Sequence, residues 1–487
     1  MWILFPVLAF RGSWGFKTVS GGGNQTMGRT LIGLLKSRPA QCWSSGICFF
    51  LLFTLSFLPS GWTSPALLGL SPDNSEALVL KAINTAESSI FLNIYQFDHV
   101  AITQALARKI RTGIPVQILL EGQPMGGIST KGKTTLKVLQ QAIDETPRSD
   151  SKIFIMKSAA PSTSKSRRYR FNHAKYIVID DAKCMISSEN FTATGQAAPG
   201  KIGNRGWTIF LDDVQLAKEL LDIFNQDLDP QFGDVTPYSS QATLELSMES
   251  APSVPAKRTV PAVAFGTGFA ESIQLITSPN ALDELKQVMR QAISQLAIET
   301  MSFPPNWYKP SAEVGKPSQP HTNPLISEMI AAARRGIQVR ALLNDDRAFS
   351  NQPPASGAFP NDLTVNLLNK MANCHQLPLE GRIVNREALE ITYVHNKGIL
   401  VDNDRTLISS INYTQNSIVN NRETAVLVQG QDINQYYMQV FDLDWNASAS
   451  QTPEEPTSPL PLMNLAECPP LDSALGGIPL PFSLPSF

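Results

Sequence analysis

Tyr393-Val394-His395-Asn396-Lys397-Gly398-Ile399-Leu400-Val401-Asp402 runs on to Leu407-Ile408-Ser409-Ser410-Ile411-Asn412. The same phrase stands earlier as Phe171-Asn172-His173-Ala174-Lys175-Tyr176-Ile177-Val178-Ile179-Asp180, followed by Met185-Ile186-Ser187-Ser188-Glu189-Asn190. Both copies read His, x, Lys, four residues, Asp, with a serine eight and an asparagine ten residues past the Asp; they are 222 residues apart. An apolar run after His-x-Lys is a strand pattern. Side chains two apart on a strand share a face, so His173 projects with Lys175 and His395 with Lys397. Asp180-Asp181-Ala182-Lys183 and Asp402-Asn403-Asp404-Arg405 read as turns into a second strand ending in Ser188 and Asn190, or Ser410 and Asn412. Asp180 and Asp402 end the first strands and are expected to hold the hairpin turns.

One copy thus offers an imidazole, an ammonium, a hydroxyl and an amide near one end of a hairpin. Two such sets suit attack on a phosphodiester. One histidine can form a covalent phosphohistidine. The other can protonate the leaving oxygen and later deprotonate the incoming water or alcohol. Two lysines and two amides can hold the non-bridging oxygens where charge builds up, each such donor contributing on the order of 10²–10³ in rate. This chemistry calls for no metal or other cofactor. A lone histidine on a strand is usually a satisfied core residue; here two of only five histidines fall in identical settings. His99, His321 and His375 have no counterpart and are read as non-catalytic.

The double motif resembles the phospholipase D superfamily, whose signature is His-x-Lys-x4-Asp followed by a Ser/Gly-x-Asn step; the resemblance reaches from about Ser71 to about Asn446. It implies an α/β fold of two homologous repeats, each a mixed sheet flanked by helices, packed about a pseudo-twofold with the active site between them. It also implies a metal-independent phosphodiesterase. The leading substrate is a phospholipid headgroup ester with membrane-surface contact. A nuclease of the same superfamily and a phosphatidyltransferase of cardiolipin synthase type are the rivals. The family often carries Asn-x-Glu downstream, and its carboxylate commonly orients the histidine of the opposite half. Asn421-Arg422-Glu423 fits. Asn204-Arg205-Gly206 departs, so that carboxylate is missing from the first copy. Glu423 is expected to orient His173 and mark it as the nucleophile, with His395 as the acid.

Outward from the motifs, the duplication continues. Thr112-Gly113-Ile114-Pro115-Val116-Gln117-Ile118-Leu119-Leu120 is mirrored by Arg335-Gly336-Ile337-Gln338-Val339-Arg340-Ala341-Leu342-Leu343. Ser71-Pro72-Asp73 is echoed by Ser278-Pro279-Asn280. Helices are expected over 74–88, 101–111 and 282–294, and strands over 89–95, 115–120 and 295–301, a βαβ rhythm with an insertion at 304–324. Neither half holds two His/Lys pairs, so a complete site needs both.

The implied organisation is a signal peptide or membrane anchor over 1–64, a first domain over 65–234, a linker over 235–268, a second domain over 269–449 and a Pro-rich disordered tail over 450–487. Residues 1–64 hold the uncharged run Ile47 to Leu58 behind Arg29, Lys36 and Arg38, short for a membrane span and suited to a signal-peptide core; export or anchoring follows. The linker is rich in Pro, Ser, Ala and Thr, and the tail composition suits an extended chain. Net charge is −2 and the isoelectric point about 6.3, which weighs against a broad nucleic-acid footprint. The dense basic run Lys165, Arg167, Arg168 and Arg170 leads into the first motif as a candidate phosphate-recruiting loop. Five scattered cysteines reveal no disulfide framework. Gly127 to Thr134 matches a P-loop pattern, but six residues separate it from its strand, so it is read as chance. The chain is expected to act as a monomer.

Overall fold

Tyr176-Ile177-Val178-Ile179 and Ile399-Leu400-Val401 are buried throughout. Such runs suit the interior of a sheet covered on both faces. The computed structural model describes residues 63–157, 168–239, 257–309, 319–350, 352–353, 357–448 and Cys468. The first half supplies β1 (Ser64–Ser71), β2 (Ile90–Ile94), β3 (Val116–Glu121), β4 (Lys152–Met156), β5 (Tyr176–Ile179), β6 (Lys183–Ser187), β7 (Gly206–Asp212), β8 (Val235–Pro237) and β9 (Gly266–Ala270). They form one sheet in the order β8-β4-β3-β2-β5-β6-β7-β1-β9. The second half supplies β10 (Ser272–Ser278), β11 (Gln295–Thr300), the ribbon β12 (Asn306–Lys309) and β13 (Gln319–Thr322), then β14 (Gln338–Leu343), β15 (Leu379–Ile383), β16 (Lys397–Val401), β17 (Arg405–Ser409) and β18 (Glu423–Gln429). Without the ribbon these order as β10-β18-β17-β16-β11-β14-β15.

The two orders match strand for strand from β4 to β1 against β15 to β10. In each half the three βαβ strands run parallel and the motif hairpin joins them antiparallel, β5 on β2 and β16 on β11. Gly113 and Gly336 end equivalent helices at φ 89° and 85°, a left-handed backbone that only glycine adopts at no cost. Three cores result. One lies under the helices of each half. The third is shared: Tyr176, Val178, Trp207 and Leu211 pack in one cluster with Leu400, Ile408, Val426 and Tyr437, beside the helices Val214–Asp227 and Gln431–Ala447.

Several expected bounds shift. The helix expected to reach 294 ends at Arg290, because the Asp402 carboxylate takes the amides of Ile293, Ser294 and Gln295. The stretch 235–268 is not linker at its ends: Val235–Pro237 pairs with β4, and β9, beginning at Gly266, pairs with β1. Within it Arg258 is buried against Asp73. Residues 240–256 lie outside the described residues, as do 1–62 and, save Cys468, 449–487, which hold most of the expected leader over 1–64 and the expected tail over 450–487. Cys468 forms a disulfide with Cys374, at the end of the helix Pro360–His375, a pairing the cysteine spacing did not disclose. The P-loop match forms the end of a loop and a first helical turn capped by its own Ser129, whose Oγ accepts the Gly132 amide. Among the described residues no helix is long and apolar enough to cross a membrane.

Candidate active site

Each motif is docked onto the other half through backbone. The His173 N–H donates to the Arg422 carbonyl at 2.8 Å, and the Arg422 N–H donates to Phe171. Reciprocally, the His395 N–H donates to the Arg205 carbonyl at 2.8 Å, and the Arg205 N–H donates to Tyr393. The side chains of the same two arginines repeat the exchange. Arg205 pairs with Asp444 in the helix Gln431–Ala447, and Arg422 pairs with Asp227 in the helix Val214–Asp227. Both acids are fully buried. Arg205 also pairs with Asp73 of its own half; removing either arginine would leave a fully buried acid without its cation, so these crossed pairs fix the register of one half on the other. Gly398 completes the fit, since a Cβ there would sit 2.3 Å from the Trp207 ring of the first half.

The expected residues converge. His173 Nδ1 lies 2.7 Å from Glu423 Oε2, across the two halves. Glu423 is fully buried and also accepts from Ser410 Oγ at 2.6 Å and Asn421 Nδ2 at 2.9 Å. A carboxylate on Nδ1 fixes the tautomer and leaves Nε2 its lone pair. Lys175 and Lys397 are fully buried, each Nζ donating to the carbonyl of its own motif histidine. Ser188 Oγ accepts the Trp207 amide at 3.0 Å, as Ser410 Oγ accepts that of Thr424 at 3.0 Å. The side-chain carbonyls of Asn190 and Asn412 have no partner among the described residues, while Asn190 Nδ2 donates to Gln96.

Electrostatics follow burial. It pulls His173 down to about 4, with Glu423 opposing. It pulls Lys175 to about 7, with Glu423 and Glu189 opposing. His395 falls well below its ordinary value through burial and then the charges of Lys397 and Lys175, and Lys397 falls well below its own. A phosphodiester anion brought among these groups favours the protonated form of each.

The first copy has Gly206 where the second has Glu423, yet another carboxylate stands beside its partner histidine. Glu189, fully buried, places Oε2 3.1 Å from His395 Nδ1, close enough to pair but off the line of a hydrogen bond. Asn204 Nδ2 donates to the same oxygen at 3.1 Å, as Asn421 does to Glu423. The sequence carried a signal for it: a charged residue at a strand end where the second copy has Ile411.

Only Arg168 and Arg170 of the basic run are among the described residues; Lys165 and Arg167 lie outside them. Arg168 is committed elsewhere, donating to Asp234 at 2.8 and 3.0 Å and to the carbonyls of Gln226 and Asp227, with its guanidinium 4.2 Å from the Phe232 ring centroid. Arg170 stays beside the motif, its N–H on the Asn420 carbonyl and its guanidinium 5.2 Å from the Phe171 centroid. Asp180 and Asp402 turn away from the chemistry. His99 caps the helix Val100–Arg111.

Comparison with known proteins agrees with this architecture. The family model described as "Cardiolipin synthase, PLD-like domain" matches residues 79–228 and 273–445. The structure of phosphatidylserine synthase from Haemophilus influenzae superposes with a TM-score of 0.53 at 15% identity, covering 79% of this chain and 87% of that one. Nuc from Salmonella typhimurium, a phospholipase D family member, matches with a TM-score of 0.28 at 20% identity, covering 36% of this chain and 98% of that one. No curated protein matches the chain.

Proposed function

The chain belongs to the phospholipase D-like family of enzymes acting on phosphodiester bonds, and on that premise we propose that it cleaves the headgroup ester of a phospholipid in two steps, passing the phosphatidyl group to water or to an alcohol. The carrying observation is the His173–Glu423 pair at 2.7 Å, bridging the halves within one buried site. His173 Nε2 attacks phosphorus while His395 gives a proton to the departing headgroup oxygen, leaving a phosphohistidine. Water or an alcohol then attacks, losing its proton to His395, and His173 is released. Lys175, Lys397 and the side-chain amides of Asn190 and Asn412 receive the non-bridging oxygens.

The rim of the site favours a lipid. Met125 is 80% exposed and Phe349 53%, on the loops that follow the equivalent strands β3 and β14. Each leads inward through a tyrosine. The Met125 amide donates to the Tyr95 hydroxyl, and Tyr95 packs on His173 with centroids 4.6 Å apart. Phe349 packs on Tyr393, and Tyr393 on His395. Apolar residues on both lips suit acyl chains better than a phosphate backbone, and Arg168 is spent on Asp234 rather than offered to nucleic acid.

The test is a side-by-side assay of the purified protein on phospholipid vesicles and on single-stranded DNA, with a primary alcohol as competing acceptor. Headgroup release, phosphatidyl transfer to the alcohol and a ³²P adduct trapped on His173 are expected. Cleavage of DNA with steep salt dependence and no action on vesicles replaces the lipid reading with a nuclease; an adduct on His395 reverses the roles of the histidines.

A further inference from the structure

We infer that Glu189 is the positioning carboxylate of His395, moved in this chain from position 206 to position 189, and that Gly206 is the vacancy which makes the move workable.

The two halves allow a position-by-position comparison. Ser188, Glu189 and Asn190 stand where the second half has Ser410, Ile411 and Asn412; Asn204, Arg205 and Gly206 stand where it has Asn421, Arg422 and Glu423. In the second half the carboxylate sits on the first residue of β18 and the residue before Asn412 is apolar. In the first half the two chemistries trade places. The trade is steric as well as chemical. A Cβ on Gly206 would meet Glu189 Oε1 at 2.2 Å, Glu189 Cγ at 2.6 Å and Ser188 Oγ at 2.7 Å. The Glu189 side chain therefore occupies the space that a side chain at 206 would need, and the two cannot both be large.

What Glu189 reaches completes the argument. It points to the histidine of the opposite half, as Glu423 does, with an asparagine two residues before position 206 or 423 steadying each carboxylate. The pairs are alike in kind and unlike in tightness. Glu423 takes three donors and holds His173 at 2.7 Å. Glu189 holds His395 at 3.1 Å, and its Oε1 has no partner among the described residues. Burial pushes Glu189 up to about 8, with Lys397 and Asn204 opposing, so its charge is weakly held in the free protein. A tight, fixed partner suits a nucleophile that must keep one tautomer. A looser partner suits a histidine that gains and loses a proton in every cycle. With Glu189 on Nδ1, Nε2 is the nitrogen left for that transfer: its proton goes to the headgroup oxygen in the first step and is taken back from water or alcohol in the second.

The kinetic consequence rests on the proposed function; the pairing does not. It is read first by ¹⁵N spectra of histidine-labelled protein, with His173 and His395 assigned by loss of signal in His173→Asn and His395→Asn. Glu189→Gln is expected to shift the His395 Nδ1 resonance while leaving His173 in place; Glu423→Gln is expected to do the reverse. An unmoved His395 in Glu189→Gln overturns the assignment. The second readout is the leaving group. Glu189→Gln should lower kcat/KM, which reports the leaving-group step alone, on the order of 10²-fold for a phospholipid, whose alkoxide needs a proton, and only a few-fold for a p-nitrophenyl phosphodiester, whose phenolate does not. Equal losses on both substrates overturn the role. Glu189→Ile/Gly206→Glu, which gives the first half the arrangement of the second, should recover activity lost in Glu189→Ile alone, and a folded double variant that recovers none counts against the relocation. If the unaltered protein cleaves no phosphodiester, the proposed function falls while the histidine spectra still decide the Glu189 pairing.

Discussion

Lys175 carries the pH behaviour of this site. Buried, with Tyr95 against it and the carboxylates Glu423 and Glu189 as its favourable charges, it is pulled to about 7. His173 is pulled to about 4. Attack needs His173 neutral, a condition met above its pKa; capture of the anionic substrate needs Lys175 charged, a condition met below its pKa. Lys397 is lowered well below its ordinary value too, by burial first and then by the charge of Lys175. For the free enzyme, kcat/KM on a p-nitrophenyl diester, whose leaving group needs no proton from His395, should therefore fall below about pH 4 and again above about pH 7. Lys175→Arg, whose charge persists to high pH, should abolish the upper fall even if kcat drops; an upper limb that stays put in that variant removes Lys175 from the account. At this scale the repeated His, Lys, Ser and Asn positions were open to reading, because duplication separates shared chemistry from accident. Glu189 lies inside its motif, but its counterpart is Ile411 and the counterpart of Glu423 is Gly206, so matching the repeats position by position does not disclose it. Arg168 misled for the opposite reason: a run of charges in sequence does not say which of them already has a buried partner.

Asp180 and Asp402 show what the last letter of the motif does for its hairpin. Each ends a strand at φ near 50° and reaches back to the turn before the neighbouring strand. Asp180 accepts the amides of Glu87, Ser88 and Ser89 and the Ser88 hydroxyl; Asp402 does the same for Ile293, Ser294 and Gln295 and the Ser294 hydroxyl. The expected turn-holding role thus becomes a tie between the motif hairpin and the strand beside it, β2 or β11. Burial works against both charges, but the backbone donors outweigh it and hold each carboxyl below its ordinary 3.8. A depressed carboxylate stabilises the fold above its unfolded pKa, and that stabilisation is lost as pH falls through the folded value. Asp402→Ala should thus lower unfolding stability by about 2–3 kcal/mol at pH 7, and the gap from wild type should close as urea titrations are carried below the ordinary carboxylate range. A gap that persists unchanged in acid would assign the loss to packing instead. The strands and helices of both repeats were legible from periodicity. The early end of the helix Leu282–Arg290 and the strands at the ends of 235–268 were not, because long-range partners set them: Asp402 for the first, β4 and β1 for the others.

The whole molecule is two halves that cannot be complete apart, since each histidine takes its carboxylate and its backbone support from the opposite repeat. One further tie joins the second half to the chain beyond its last helix. Cys374 and Cys468, 94 residues apart, form a disulfide, while Cys184 is buried and free. A bond of this kind persists in oxidising compartments and is rare where thiols are kept reduced. On this ground, from a part of the chain remote from the apolar run, we propose that residues 1–64 direct the protein across or onto a membrane. The chain-entropy account assigns a loop of this length up to about 4–5 kcal/mol, so reduction, or Cys374→Ser, should lower the melting temperature by several degrees. The site residues lie elsewhere, and turnover at low temperature should survive. Protein recovered from expressing cells should block two of its described cysteines as one disulfide and begin after the apolar run Ile47 to Leu58. Recovery from the cytosol with that run retained and Cys374 and Cys468 both alkylatable would sink export and the disulfide together. A reduced pair in a processed, exported protein would sink the disulfide alone.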